Sequence, residues 1–388
     1  MNYFLIWLSG NFRPLLWKKG RSVQKAGPMK DRLAIPRAEA SQGGAATAAA
    51  WMGTGRATGS HVSVIITSHN YAAYIRQCID SALEQEGAGR DFGLDVLVVD
   101  NYSSDGSREI IAGYGNRIGV ILKEEGRQIS SFNQGFAASR GGIVIFLDAD
   151  DYLAPDAVLT HLHAFRDPAV VRSQGYMTVV GPGGQELGRR LPGRSAPQGD
   201  LGARILATGP GAVVSAPTSG NAWRRDVLER IMPLPETVQG IGADTYLMDS
   251  VPLFGRVAVA ERTVAFYRVH GRSFGDAVKG LNRANIAVWL DGYRTRVQRL
   301  SSTAGQLRLE PQETRWATRN WRIQTLEGLL SRMEGRRGPG LAAQLAAAAA
   351  ACSLKGRARA SLIVLASRLL PLPWALRVAQ GSIRLNEM

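Results

Sequence analysis

Val144 to Asp151 reads VIFLDADD: four apolar, strand-forming residues that run into three carboxylates, Asp148, Asp150 and Asp151, within four positions. Carboxylates crowded this closely repel one another. A hard divalent cation relieves the repulsion and keeps coordination positions open for phosphate oxygens. The competing reading is local, because Asp151 precedes YLAPDAV and an aspartate is a favoured helix N-cap. The surrounding sequence decides how much of the cluster is chemistry.

Working outward, VSVIIT (Val62 to Thr67) and LDVLVVD (Leu94 to Asp100) are continuous apolar runs rich in β-branched residues, and YIRQCIDSALEQ between them has the spacing of an amphipathic helix. A short helix at SREIIAGYG, a strand at IGVILK, a helix through FNQGFAASR and the strand that ends in the acids continue the alternation. The expected fold class is α/β: a Rossmann-like, mostly parallel sheet with helices on both faces, plus a C-terminal helical extension. Such sheets bind ligands beyond the carboxyl ends of their strands. Three polar clusters fall at those ends: Thr67 to Asn70, Asp100 with Asn101, and Asp148 to Asp151.

The 388 residues divide by charge and pattern into a basic N-terminal segment with a Gly/Ala-rich linker (1–60), an α/β domain (61–275) and a basic helical region (276–388). Their formal charges are +7, −3 and +11. The basicity therefore lies on the flanks, which points to an anionic surface and not to a basic catalytic groove. Cys78 and Cys352 are too few for a disulfide framework or a zinc ligand set, and a reducing cytoplasm is expected. The opening MNYFLIWLSG has no basic n-region and falls short of a membrane span, so neither a signal peptide nor a transmembrane helix is expected there. No RNA-binding motif with interleaved aromatics is evident, which disfavours nucleic acid. In the last region SLIVLASRLLPLPWALRV suits either peripheral attachment to an anionic membrane or packing on the rest of the chain.

A hairpin is expected through Pro182 to Gly184, a helix from Asp244, and then two strands, VAVAE and TVAFYRVH. Together with VSVIITSHNYAAYIRQCIDSALEQ, VLVVDNYSSDGS and NQGFAASRGGIVIFLDADD, these elements resemble the family 2 glycosyltransferases over about residues 61–275. No single string is specific, but their order, strand placement and intervals are. The resemblance implies a GT-A fold, a nucleotide-sugar donor, inversion, a Mg²⁺ or Mn²⁺ cofactor, and a hydroxyl on a glycan or lipid-linked acceptor in polysaccharide or glycoconjugate assembly.

Carried across residue by residue, the resemblance places Thr67, Asn70, Asp100 and Asp148 at the donor nucleotide, with Asp148 and Asp150 as a DXD-like pair. Asp150 and His270 would hold the metal. Asp244 would be the general base, ahead of Asp249. Arg268, Arg272, Ser219 and Asn221 would lie on the diphosphate or acceptor side. A carboxylate at Asp100 can accept the imide N–H of uracil, so a UDP-sugar is the leading donor expectation. Two departures stand out. Ala243 replaces the first acid of the family's pair before Asp244, and Phe132 occupies the place of an arginine before Asn133. The alternative class is a non-catalytic nucleotide-binding or membrane-surface adaptor on a degenerate version of the same fold. Nucleotidyl transfer is disfavoured because SHNYAAYI lacks a Gly-rich, basic phosphate loop.

Overall fold

The computed structural model describes residues 60–211, 213–236, 242–271, 281–350 and 354–382. The expected N-terminal segment and linker, apart from Ser60, lie outside the described residues, as do Ile241 and Arg272. In the first half β1 (His61–Ser68), α1 (Ile75–Leu83), β2 (Gly93–Asn101), α2 (Ser107–Ala112), β3 (Gly119–Lys123), α3 (Gln128–Ala138) and β4 (Ile143–Asp148) alternate as the apolar periods predict.

These strands stand in the order β3-β2-β1-β4, all parallel. Because side chains alternate across a strand, β1 feeds two cores. Val62, Val64 and Ile66 pack with Ile75, Cys78 and Ile79 of α1, while Ile65 packs with Phe132 and Phe136 of α3. Burial on both faces is why these strands read as unbroken apolar runs. The register pairs Thr67 with Asp148 and Ser68 with Asp100, so the three polar clusters sit side by side where the strand order reverses.

The second half adds β5 (Tyr152–Leu153), α4 (Ala157–Ala164), β6 (Val170–Val180), β7 (Glu186–Leu191), β8 (Gly199–Asp200), α5 (Gly202–Thr208), β9 (Asn221–Arg224), α6 (Arg225–Leu228), α7 (Ala243–Ser250) and β10 (Arg256–Arg268). The sheet continues from β4 through β9, β6 and β10 to β5. Here the pairing turns mixed: β4–β9, β9–β6 and β10–β5 are antiparallel, and β6–β10 is parallel. The expected hairpin is β6–β7, with Gly184 at φ +86° in its turn. The two strands expected after residue 255 are one strand, β10, with register shifts between Ala260 and Ala265 that absorb the charged Glu261-Arg262 step.

The C-terminal region forms α8 (Arg283–Gln306), α9 (Glu313–Arg319), α10 (Trp321–Met333), α11 (Leu341–Ala349), α12 (Leu354–Leu369) and α13 (Leu372–Ser382). Asn282 and Asn320 cap α8 and α10, each side chain accepting from first-turn amides. A buried indole and an ion pair are among the contacts that fix these helices to the α/β part. Trp316 is fully buried among Leu201, Ile205, Val257 and Leu300, and its indole N–H donates to the Leu206 carbonyl at 2.8 Å. Arg296 of α8 donates twice to Asp249 of α7, at 2.7 and 2.9 Å.

Two stability effects are expected. In Gly135→Ala the helix-propensity gain of about 1 kcal/mol is outweighed by overpacking of roughly 1–3 kcal/mol, because a Cβ there meets Ile65 Cγ2 at 2.4 Å. Urea denaturation should show a lower midpoint. Arg296→Met strands the buried Asp249 carboxylate and should cost about 3–5 kcal/mol in the same assay.

Candidate active site

The end of β4 delivers its acids into one crevice, and their partners come from distant segments. Asp148 is half-buried, and its Oδ1 accepts from Gln128 Nε2 at 3.1 Å and from Thr67 Oγ1 at 3.4 Å. Burial pushes its carboxyl up to about 7, the charges of Asp150 and Asp244 add to the rise, and hydrogen bonds from Thr218 and Gln128 oppose it. Asp150 Oδ2 lies 3.0 Å from His270 Nε2, and the Tyr71 phenol also bonds to this carboxylate. The Tyr71 hydroxyl is held well above its ordinary pKa, first by burial and then by the charges of all three acids. The His270 imidazole sits between Tyr71 and Tyr74, with ring centroids at 6.0 and 4.9 Å.

Asp151 caps no helix. The cap position of α4 is Asp156, and Asp151 instead accepts from the Arg268 amide at 3.0 Å and from Ser219 Oγ at 2.7 Å. Its carboxyl is raised by burial and by its two acidic neighbours. Ser219 Oγ also accepts from the Asp148 amide at 3.2 Å, so one hydroxyl ties two of the acids to the turn Thr218–Gly220. Asn221 is fully buried, accepting from Arg172 and donating to the carbonyls of Ala216, Pro217 and Thr218, which fixes the shape of that turn.

Asp244 occupies the first turn of α7, and its Oδ2 accepts from Thr218 Oγ1 at 3.0 Å. Burial raises its carboxyl; the Thr218 and Thr245 hydrogen bonds and the charges of Arg296 and Arg172 oppose the rise. The Thr218 hydroxyl thus donates to Asp244 while standing close enough to Asp148 to oppose the rise of its carboxyl. Asp249 lies on the same helix but is buried and bound by Arg296 and the Gly211 amide. Among the two α7 carboxylates, only Asp244 points to the Thr218 hydroxyl.

On the β1–β2 side, Asn70 adopts φ +58° and staples two loops, its amide donating to Ser103 Oγ and its Oδ1 accepting from the Ser104 amide, both at 2.8 Å. Asp100 is fully buried at the end of β2, and its carboxylate accepts from Ser103 and from Arg108 Nε. His69 Nδ1 donates to the Asn101 carbonyl at 2.6 Å, and its ring meets Tyr102, a half-turned residue at φ +50°.

Arg268 is buried. Its Nε donates to the Asp150 carbonyl at 2.8 Å, Nη1 to the Pro182 carbonyl at 2.9 Å and Nη2 to Gln77 Oε1 at 2.6 Å, while its face lies over Tyr74 and Tyr152. The guanidinium therefore serves the protein's own backbone. The structure brings together Thr67, Asp148, Asp150, His270, Ser219 and Asp244. It places Asn70, Asp100 and Asn221 behind them in the walls. Sequence reading missed Tyr71, Gln128 and Thr218. Tyr71 and Thr218 are immediate neighbours of residues already singled out, but nothing in spacing marks a hydroxyl as the partner of a distant acid.

Among the described residues no three His, Cys, Asp or Glu side chains form a preformed metal cage. Asp150 and His270 nevertheless fit one edge of an octahedral ion: ligands at about 2.1 Å and right angles stand about 3 Å apart, and their atoms are 3.0 Å apart. Buried His270 Nδ1 has no hydrogen-bond partner among the described residues, so the ring can carry its proton there and present Nε2 to a cation. A hard cation here would take its remaining ligands from substrate oxygens and water, as Mg²⁺ sites commonly do.

Residues 63–231 match the family described as glycosyl transferase family 2. The chain is 31% identical over 214 residues to an uncharacterised glycosyltransferase of Nostoc sp., covering 54% of this chain and 65% of that one. It is 37% identical over 107 residues to chondroitin synthase of Pasteurella multocida, covering 27% of this chain and 11% of the synthase. The matched region thus spans less than two thirds of either relative. Among solved structures, S. aureus TarS 1–349 in complex with UDP-GlcNAc is similar at TM-score 0.48 and 18% identity, covering 82% of each chain. The mannosyltransferase PcManGT from Pyrobaculum calidifontis, in complex with GDP-Man and Mn²⁺, is similar at TM-score 0.41 and 21% identity, covering 83% of this chain and 86% of that one. From residue 63 to residue 231, then, the chain is similar to glycosyl transferase family 2.

Proposed function

We propose that this chain transfers a sugar from a nucleoside-diphosphate donor, a UDP-sugar, to a hydroxyl of a glycan or lipid-linked acceptor with inversion, in polysaccharide or glycoconjugate assembly. The observation that carries the reading is the convergence of Asp148, on the donor side, and Asp244, on the helix side, on the turn that bears Thr218, whose hydroxyl donates to Asp244. A donor and an acceptor held on either side of it are brought within reacting distance. The domain that does this work is residues 61–275, with 276–388 as helical support.

Thr67 lines the nucleotide pocket, Asn70 and the buried Asp100 shape its wall from behind, and Asp148 faces the ribose. Asp150 and His270 would hold Mg²⁺ or Mn²⁺, which when bound would neutralise charge on the departing diphosphate. Asp244 accepts the acceptor's hydroxyl proton as that oxygen bonds to the anomeric carbon from the face opposite the leaving group. The bond to the diphosphate oxygen breaks with its electron pair, so configuration inverts. Burial, which raises the Asp244 carboxyl, makes it a stronger base than an exposed aspartate. Thr218 holds that carboxylate in one rotamer. Arg268 acts on the diphosphate side by fixing the Asp150 main chain, and Ser219 and Asn221 by fixing the turn on the acceptor side.

Asp244→Asn should lower kcat by about 10²–10⁴-fold while isothermal titration shows UDP and Mn²⁺ binding unchanged; normal turnover in that variant would remove the base assignment. Asp150→Ala should abolish both metal-dependent UDP binding and transfer. An adaptor without catalysis would bind UDP in this titration and release no nucleotide from any sugar donor in a screen. Thr218→Val should reduce kcat roughly tenfold, the weight of one hydrogen bond to a charged group, with KM for donor unchanged, and Thr218→Ser should restore it.

A further inference from the structure

α12 and α13 form a hairpin with two different faces. The inner face is packed: Ile363, Val364 and Ala360 of α12 and Ala375 and Ala379 of α13 are buried against neighbouring helices. The outer face and the turn are apolar and open. Leu369 is 75% exposed, Leu362, seven residues earlier on the same side, 68%, and Trp374 58%, with Leu370, Pro371 and Pro373 exposed beside them. Isolated exposed leucines are ordinary, but a contiguous apolar tip rimmed by charge is not.

The chemistry of the turn is as informative as its exposure. The last carbonyls of a helix have no partner within it. Here the Ser367 carbonyl accepts from Arg332 Nη1 and the Leu370 carbonyl from Arg332 Nη2 at 2.8 Å, both from below. Pro371 and Pro373 bring no N–H, and the Trp374 and Ala375 amides donate to the Pro371 carbonyl at 3.0 Å. Each backbone group so paired loses less on leaving water, which favours entry into an apolar phase. Arg368 donates to Gln344 and the Pro339 carbonyl, so the turn is also anchored rigidly.

Charge identifies the partner. Leu354–Ser382 contains five basic residues and no acidic one. Arg359, three residues before Leu362 on α12, and Arg377, whose guanidinium lies over the Trp374 ring at 5.3 Å, are both exposed. Among the described residues no helix is long and apolar enough to cross a membrane. We propose that the α12–α13 tip is a monotopic seat for an anionic phospholipid surface, with Leu369, Leu370 and Trp374 entering the headgroup boundary and the arginines contacting lipid phosphates. The site lies outside the carboxylate crevice and is independent of the catalytic proposal.

The test is flotation of the full chain with phosphatidylcholine vesicles with and without phosphatidylglycerol. The wild type should co-float with the anionic vesicles and be released by high salt. Leu369→Ser combined with Trp374→Ser should lower the partition coefficient at least about tenfold, and Arg359→Glu with Arg377→Glu should do the same at low salt. Unchanged UDP binding in both variants shows that the fold and the nucleotide crevice survive. Wild-type protein that stays with the soluble fraction overturns the proposal, as does equal flotation of the Ser variant. Sedimentation showing a dimer that the Ser variant dissociates, with no flotation by either, assigns the face to a second copy and likewise overturns it.

Discussion

Three carboxylates within four residues can be held at one strand end only if something other than water satisfies them. The turn Thr218–Gly220 and its neighbours do this. Ser219 donates to Asp151 and accepts from the Asp148 amide, Gln128 and Thr67 donate to Asp148, His270 meets Asp150, and the Arg268 amide completes Asp151. Without these donors the buried acids would be both unsolvated and mutually repelling, and the strand could not end in this sequence. The remaining architecture positions the turn. Asn221 and buried Arg172 lock its backbone, and β9 carries it antiparallel against β4.

The same arrangement explains the unequal burden on the acids. Asp151 is fully supplied by protein donors and joins β4 to β10. Asp150 faces the crevice with His270 and Tyr71, and Asp148 and Asp244 are raised by burial, with the Thr218 hydroxyl donating to Asp244. Residual strain of this kind, together with the left-handed backbone of Asn70 and Tyr102 on the facing wall, concentrates where a ligand would relieve it. Stability is recovered elsewhere. The doubly apolar strands of the first half, the buried Trp316 and the Arg296–Asp249 pair supply the packing and pairing that hold the acids' scaffold.

The C-terminal helices contribute twice. Arg296 reaches under α7 and occupies Asp249, which leaves Asp244 as the α7 carboxylate facing the crevice. Their outer face presents leucine, proline and tryptophan next to arginine, while the inner face completes a core of its own. The two readings that the sequence left open for SLIVLASRLLPLPWALRV are therefore not exclusive: the hairpin packs through one side and exposes the other.

What the sequence determined by itself was set by local period. Continuous β-branched runs, the intervening amphipathic helix and the acids at the end of VIFLD specify parallel strands with polar ends, because side-chain direction follows from position along the strand or helix. Local period also limited it. The mixed second half, the bulged single strand β10 and the identity of the acids' partners depend on pairings across long stretches of chain: Ser219 meets Asp151 across 68 positions and Arg268 meets the Asp150 carbonyl across 118. Arg268 and Asn221 read as ligand-facing residues from their surroundings in sequence, yet both are buried and bonded to backbone. Only tertiary structure decides whether an arginine's five donors meet a substrate or the chain's own carbonyls, since that choice is made by whichever acceptors the fold leaves without water.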